Sequence, residues 1–600
     1  MSASFPGRFG RFFSSLSRRR LLFLAGSTAL GASTAFGQTK PATKAPKQDV
    51  PPKETKPVIS LEETESAWVD VAGADQREFP LNDPNITEIA GYTEQLSYEP
   101  GNTVRLFVHT TAPTYDIEII RDGLKPRTIW SRSGLKGLRQ NTPENAYAVG
   151  CGWRDPVAIQ VDPGWQSGFY LILLRATGAD GRSVEREAGF VLRPKSGQRK
   201  NRIVLILTTV TATAYNDWGG ANSYRSVVDG KSTETLSPRL SLQRPWARGF
   251  MRLPINAPRH SDTPDLPTDA SPYYPFVDWA LAHGYSRHYG DGGWAYYERP
   301  FACWAEQNGY QLDYVTQHDL QLRPDCVSGY ACAVIVGHDE YWSWEMRDAI
   351  ENFTRKGGNV MRLGGNFIWQ VRLEDDGRTQ VCYKTLPDPI SATSPSRTTV
   401  AWDFKIVNRP GAATFGLTGF GGIYVRLGAT TPRAPGGYTV YRPNHWVFDG
   451  TDLYYGDMFG AEPSRILAFE VDGVDYTFRN GLPYPTYKDG APQSLEILAM
   501  APAVRGEPMP PRHGNLRMNP MTDIPTKNAW PIFYDIPEEC LEYGAAMMSV
   551  MTSGSGQVFN SGCCNWVTGL LREDKMVMTI TKNVLDRFTR VAGGSKPRAG

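Results

Sequence analysis

Apolar and polar positions along the chain keep one rhythm up to about residue 195 and another beyond it. From about 65 to 195, short strand-like runs at 104–109, 115–121, 157–161, 168–176 and 187–192 alternate with turn signals such as Arg121-Asp122-Gly123. Short strands at that spacing, with no helical period between them, predict an immunoglobulin-like β-sandwich over 65–195. After the break Arg193-Pro194-Lys195-Ser196-Gly197 the pattern changes. Strand-like runs at 203–208, 312–315, 331–336 and 359–363 alternate with helical patterns at 276–284, 301–309 and 344–355. That alternation predicts an α/β domain over 200–595, built on a mainly parallel sheet covered on both faces. The stretch 210–220 reads as a polar loop. Between about 395 and 500 the pattern turns β-rich, with strands expected at 438–441, 467–471 and 495–500, and 543–588 reads as helix, strand and helix.

One internal echo stands out. Pro275-Phe276-Val277-Asp278-Trp279-Ala280 recurs as Pro300-Phe301-Ala302-Cys303-Trp304-Ala305, each followed four residues later by Gly and Tyr. Phe, Trp and Ala at i, i+3 and i+4 share a helical face, and the glycine is expected to end each helix. A single pair does not make a solenoid.

The N-terminus changes the picture of where the protein works. Arg18-Arg19-Arg20-Leu21-Leu22-Phe23 leads into a short run of apolar and small residues ending near Gly37, the parts of an export signal of twin-arginine type over 1–37. A periplasmic location is expected. Residues 38–64, rich in Lys, Pro and Thr, read as a linker. No apolar run is long enough for a confident membrane span. With 64 Lys+Arg against 62 Asp+Glu and no long basic stripe, nothing points to nucleic acid. Eight cysteines form no C-x-x-C pair and no zinc-finger spacing. An exported protein is permitted disulfides, Cys326–Cys332 or a long-range pair among them, though Cys332 within an apolar run reads more simply as a small core residue.

Candidate chemistry gathers where predicted strands end. The apolar run 331–336 stops at Gly337 and delivers His338, Asp339, Glu340 and Tyr341 before the helical pattern at 344. Ligands of open α/β sheets bind beyond the carboxyl ends of the strands, so this turn lies where a site is expected. Thr213-Ala214-Tyr215-Asn216-Asp217-Trp218-Gly219-Gly220 and Leu363-Gly364-Gly365-Asn366-Phe367 follow other predicted strands. If the sheet is parallel, Tyr215, Asn216, His338, Glu340 and Asn366 meet at one edge. Asn560-Ser561-Gly562-Cys563-Cys564-Asn565-Trp566 is a further polar loop after an apolar run.

Several of these stretches carry a resemblance to a known family. A-Y-N-D-W-G-G at 214–220, R-P-W-A-R-G at 244–249, G-H-D-E-Y-W-S-W-E-M-R-D at 337–348, G-G-N-F-I-W-Q-V-R-L-E at 364–374, W-V-F-D-G-T-D-L-Y-Y-G-D at 446–457 and V-F-N-S-G-C-C-N-W-V at 558–567 resemble the large (β) subunit of N,N-dimethylformamidase. The resemblance runs from about 202 to 590. The chain is expected to lack the additional N-terminal lectin-like domain of the characterised large subunits, which bears on how it assembles.

The resemblance implies a glutamine-amidotransferase-like core and a mononuclear iron, ferric in character, held by two tyrosines and one glutamate. Glu340 matches the glutamate and Tyr215 the first tyrosine. Tyr224, Tyr273, Tyr274, Tyr285 and Tyr289 compete for the second, and Tyr274 is taken. Glu470 is the match for an acidic residue reaching the pocket from the later β-rich part. Phenolate and carboxylate oxygens are hard, anionic donors suited to such an ion. His338 is expected to take a proton from water or give one to a departing amine, and Asn216 and Asn366 to orient the carbonyl. Trp218, Trp342 and Phe367 are candidates for an apolar wall, with core packing the commoner role. No cysteine sits in a G-x-C-x-G elbow, so a thiol mechanism is not expected. The reading that follows is an exported, iron-dependent amidohydrolase of a small amide, with a small partner subunit or a homo-oligomer as assembly options. Its rivals are a small-molecule or sugar-binding protein of the same fold with a degraded metal site, and a hydrolase using cobalt or zinc instead.

Overall fold

The computed structural model describes residues 78–590 apart from 180, 196, 229–230, 234–235, 265–273, 385, 427–435, 506, 509–515 and 518–542. The export signal over 1–37 and the linker over 38–64 lie outside the described residues, as does Tyr273. The chain divides into two units, Met1–Ser60 and Leu61–Gly600, and every described residue belongs to the second.

Eight strands come first: β1 (Ile89–Thr93), β2 (Ser97–Tyr98), β3 (Thr103–Thr110), β4 (Thr114–Asp122), β5 (Arg127–Lys136), β6 (Val157–Gln160), β7 (Gly168–Thr177) and β8 (Ser183–Leu192). β1, β3 and β6 form one sheet; β2, β8, β7, β4 and β5, in that order, form a second. Alternate residues explain the packing. Tyr115, Ile117 and Ile119 of β4 meet Val104, Leu106 and Val108 of β3 in a core between the two sheets. β7 is apolar on both faces because both are covered. Tyr170, Ile172 and Leu174 enter that core, while Phe169, Leu171 and Leu173 enter the larger core of the rest of the chain.

The larger body is organised around an eleven-stranded mixed sheet. Its main strands are β9 (Ile203–Leu207), β10 (Leu312–Thr316), β11 (Cys332–His338), β12 (Asn359–Gly365), β13 (Thr418–Tyr424), β14 (Glu470–Gly473), β15 (Glu496–Val504), β16 (Tyr543–Ser553) and β17 (Gly556–Asn560). They lie in the order β10-β9-β11-β12-β17-β16-β15-β13-β14. Neighbours from β10 through β17 are parallel. From β17 to β14 every pairing is antiparallel. The expectation of a mainly parallel sheet is corrected to a half-parallel one, because the β-rich stretches pair onto the parallel strands instead of forming insertions beside them. Chain order reverses at β9: β10 adds on one side and β11 on the other. That is a topological switch point, the place where open α/β sheets bind ligands.

Two further expectations are corrected. Residues 210–220 are not a polar loop throughout; the first part is a helix, α1 (Thr209–Tyr215), buried from Val210 onward. Its threonines read as polar in sequence, yet Thr213 returns its hydroxyl to the Thr209 carbonyl at 2.8 Å, which lets a threonine-rich helix be buried. The segment 543–588 is strand, strand, helix, helix: β16, β17, α2 (Trp566–Leu571) and α3 (Lys575–Thr589). Tertiary pairing of β16 with β15 along its whole length overrides the helical pattern of Tyr543 to Val550.

The internal echo forms two matched helices, Pro275–Ala282 and Arg299–Gln307. Each closes with Gly in the left-handed region, and Tyr285 and Tyr310 return their amides to Ala280 and Ala305 at 2.9 and 3.0 Å. All seven cysteines of the described residues are free thiols, so no Cys326–Cys332 bridge forms. Among the described residues no helix is long and apolar enough to cross a membrane.

Candidate functional site

The site lies at the carboxyl edge of β9, β11 and β12. β11 ends in His338, paired in register with Gly365 at the end of β12, and α1, which follows β9, ends in Tyr215. Gly337 has φ +86°, and a side chain there would run into the Tyr297 ring, so the turn that presents His338 needs glycine. Gly365 matters for a different reason. A Cβ on it would come within 2.8 Å of both the Cys564 amide nitrogen and the Glu470 carbonyl oxygen. The bare glycine lets two distant segments close on the end of β12.

Glu340 is the centre. Its carboxylate accepts from the Tyr215 phenol at 2.9 Å on one oxygen and from the Tyr224 phenol at 2.5 Å on the other. The two phenols also meet at 2.8 Å, with rings stacked 4.6 Å apart. Tyr341 adds its hydroxyl to that of Tyr224 at 3.0 Å, and the buried Lys384 ammonium sits 3.3 Å above the Tyr224 ring. His338 Nε2 lies 2.6 Å from Glu470 Oε2 and 3.4 Å from Glu340 Oε2. The first is a close ion contact off the alignment of a hydrogen bond, since Oε2 of Glu470 has no aligned donor among the described residues. His338 Nδ1 donates to the Asp291 backbone carbonyl at 2.8 Å, which fixes the ring.

Burial and charge set the protonation of the group. Burial alone would drive the His338 imidazole towards neutrality. The Glu470 carboxylate against it, with Glu340 and Asp291, outweighs this and lifts its pKa to about 9. Burial raises the Glu340 carboxyl, against the pull of His338 and Lys384. Burial, then the Glu340 charge, holds both Tyr215 and Tyr224 well above the ordinary phenol value, so without a cation both are neutral donors.

The residues expected from sequence divide accordingly. Tyr215, His338, Glu340, Glu470 and Asn366 are brought together. The Asn366 amide nitrogen stands 3.4 Å from His338 Nε2, its Oδ1 has no hydrogen bond among the described residues, and its φ of +59° holds it in a strained backbone position. Asn216 is not a carbonyl-orienting group here: its Oδ1 accepts from the amides of Trp218 and Ala247, and its nitrogen donates to the Pro245 carbonyl. It ties two loops together. The second phenol on Glu340 is Tyr224; Tyr274, the tyrosine taken from the sequence, precedes the helix Pro275–Ala282, its ring 6.2 Å from Phe276. Trp218, Trp342 and Phe367 pack in the core.

Sequence reasoning missed Asp291, Lys384 and Cys564. Lys384 sits in V-C-Y-K, with no pattern to mark it. Cys564 lay in a loop already singled out, and its sulfur joins His338 and Glu470 in a buried trio of ligand atoms lying within 4.8 Å of one another. Burial, then Glu470, Asp472 and Asp339, pushes its thiol well above the ordinary range, so it is no ready nucleophile.

The β subunits of N,N-dimethylformamidase from Paracoccus aminophilus and Alcaligenes sp. are 23% and 22% identical to the chain over 255 residues, 37% of this chain. Those stretches span 28% of each relative's length. The solved structure of murine CRIg aligns over 18% of this chain and 98% of its own, at 15% identity and a TM-score of 0.14, too low to indicate shared fold. The profile described as N,N-dimethylformamidase beta subunit-like, C-terminal, matches residues 116–578, which takes in part of the sandwich and every residue of the Glu340 site. The chain belongs to that family.

Proposed function

We propose that the protein is an exported, iron-dependent hydrolase of the C–N bond of a small amide. The observation that carries this is the Glu340 carboxylate, which meets one tyrosine phenol on each oxygen beside a histidine–glutamate pair. Tyr215, Tyr224 and Glu340 would hold the ion. Their three hard oxygen donors fit ferric iron, and the shortage of aligned donors at Glu470 fits a pocket built for a cation and a substrate. When bound, the ion supplies Lewis acidity to an amide carbonyl and to water.

The remaining chemistry belongs to the chain. Without the ion His338 carries its proton below about pH 9, and in that form it can hand it from Nε2 to the departing amine. Glu470, 2.6 Å away, can take the proton of the attacking water. The Asp291 carbonyl keeps the imidazole oriented, and Asn366 is the amide left to orient the substrate. A site this buried suits a small amide. The frame proposed is an immunoglobulin-like sandwich beside a glutamine-amidotransferase-like core. The relatives are named as β subunits, which supports a second, different chain as partner.

Purified protein from residue 38 onward, loaded with iron, tests the reading by metal content, visible spectrum and turnover of N-alkyl formamides. One iron per chain with a tyrosinate charge-transfer band, abolished by Tyr224→Phe and by Glu340→Ala, is expected. A colourless protein without amidase activity after anaerobic iron loading overturns it.

A further inference from the structure

We propose that His338, Glu470 and Cys564 form a second cation site, distinct from the tyrosine–glutamate set, that takes a thiophilic divalent cation of the zinc class and silences the acid–base pair when filled. The imidazole nitrogen, carboxylate oxygen and sulfur lie within 4.8 Å of one another, and all three residues are buried. Three protein ligands with a fourth position left open is a common arrangement for zinc. Hydrogen bonding of Nδ1 to the Asp291 carbonyl leaves Nε2 as the nitrogen facing the trio, as in histidines that bind metal. Glu470 Oε2, buried and without an aligned donor, points into the same space.

The backbone holds the three donors in place. The Cys564 amide donates to the Glu470 carbonyl at 3.1 Å, so sulfur and carboxylate come from segments bonded to each other. The bare Gly365 makes that approach possible. The two donor sets touch, 3.4 Å apart between His338 Nε2 and Glu340 Oε2, yet they differ in kind. Phenols and a carboxylate favour a hard trivalent ion; imidazole, carboxylate and thiolate favour a borderline divalent one. Filling the second site releases the thiol proton and the Nε2 proton to solvent and forms bonds from nitrogen, oxygen and sulfur to the cation. His338 then has no proton to give, and the Glu470 oxygen that faces it is taken up by the cation. Binding at this site stands apart from the amidase reading; its inhibitory consequence rests on that reading.

The test uses the full mature chain, first iron-free and then iron-loaded, with Co²⁺ and Zn²⁺ as probes. Cobalt is expected to give a thiolate-to-cobalt charge-transfer band that zinc bleaches, that Cys564→Ser abolishes, and that Cys563→Ser and Tyr224→Phe retain. Glu470→Gln is expected to weaken cobalt binding at least about tenfold, which keeps the test decisive if Cys564→Ser does not fold. No thiolate band, a band surviving Cys564→Ser, or undiminished binding by Glu470→Gln overturns the site. In iron-loaded enzyme that turns over an amide, zinc is expected to lower kcat at least about tenfold. Failure of iron to bind while the cobalt–thiolate band forms removes the amidase reading and leaves this site standing; the converse removes the site alone.

Discussion

Two buried carboxylate pairs lie side by side, supplied by neighbouring residues, and their settlement differs. Asp339 and Asp472 close on the Arg362 guanidinium, whose Nε and Nη2 grip Asp339 at 2.7 and 2.5 Å while Nη1 binds Asp472 and, at 3.1 Å, Asn560. The second oxygen of Asp472 accepts from the Phe367 amide at 3.1 Å. Glu340 and Glu470, one residue along from Asp339 and two from Asp472, have instead one imidazole between them and phenols as donors. A planar five-donor cation satisfies buried carboxylates fully; an imidazole cannot. The first pair is structure; the second is the one to which the proposed function assigns a cation and a substrate. The two pairs are told apart by the kind of donor, a permanent guanidinium against phenols and an imidazole, and by the lack of an aligned donor at Glu470 Oε2, not by burial, which is near complete in both.

Arg362→Met tests the settled side and carries the largest expected effect. It strands two carboxylates and is expected to cost about 3–5 kcal/mol in denaturant unfolding; a loss under about 1 kcal/mol would show that the network is not the brace its geometry indicates. Glu470→Gln tests the poised side. Turnover is expected to fall about 10²–10⁴-fold, with a smaller loss of stability than for Arg362→Met, because the His338 imidazole can shed its proton when its partner is gone. Equal destabilisation by the two variants would erase the contrast. Gly365→Ala should cost about 1–3 kcal/mol by pressing on the Cys564 amide and the Glu470 carbonyl. A fully folded, fully active variant would show that the two segments have slack. The contrast can also be tested by pH. The His338 pKa is raised from 6.5 to about 9 in the folded metal-free protein, so its contribution is complete below pH 6.5 and lost as pH rises towards 9. Stability should fall over that window by up to ~1 kcal/mol per pH unit, and His338→Gln should flatten the slope.

What sequence could tell about this site follows from how local each contact is. His338 and Glu340 were legible because strand, glycine turn and both side chains lie within ten residues. Tyr215 was legible from its place after β9. Tyr224 was not separable from four other tyrosines, since its arrival at Glu340 depends on the backbone between α1 and Tyr224. Asn216 looked like a ligand-facing amide and is a loop brace, a role set by the R-P-W-A-R-G segment it bonds. The parallel strands were visible as continuous apolar runs. In the antiparallel half, parts of β14 and β15 were legible as strands, but β16 was not, because its pairing with β15 is long-range and its alternation resembles a helix over short windows. Thr209–Tyr215 failed for the opposite reason: threonine reads as exposed unless its hydroxyl is seen to bond backwards.

The closure of Cys564 and Glu470 over Gly365 also sets an order in time. Tyr215 and Glu340 are 125 residues apart, and the Cys564 loop arrives from near the end of the chain. Loop-closure entropy makes such late, distant contacts slow to form. A chain that stops short of the Cys564 loop lacks the third donor of the His338–Glu470–Cys564 group, whatever it has of the tyrosine–glutamate set. On the proposed reading, that group can take a cation only once the whole sheet has folded.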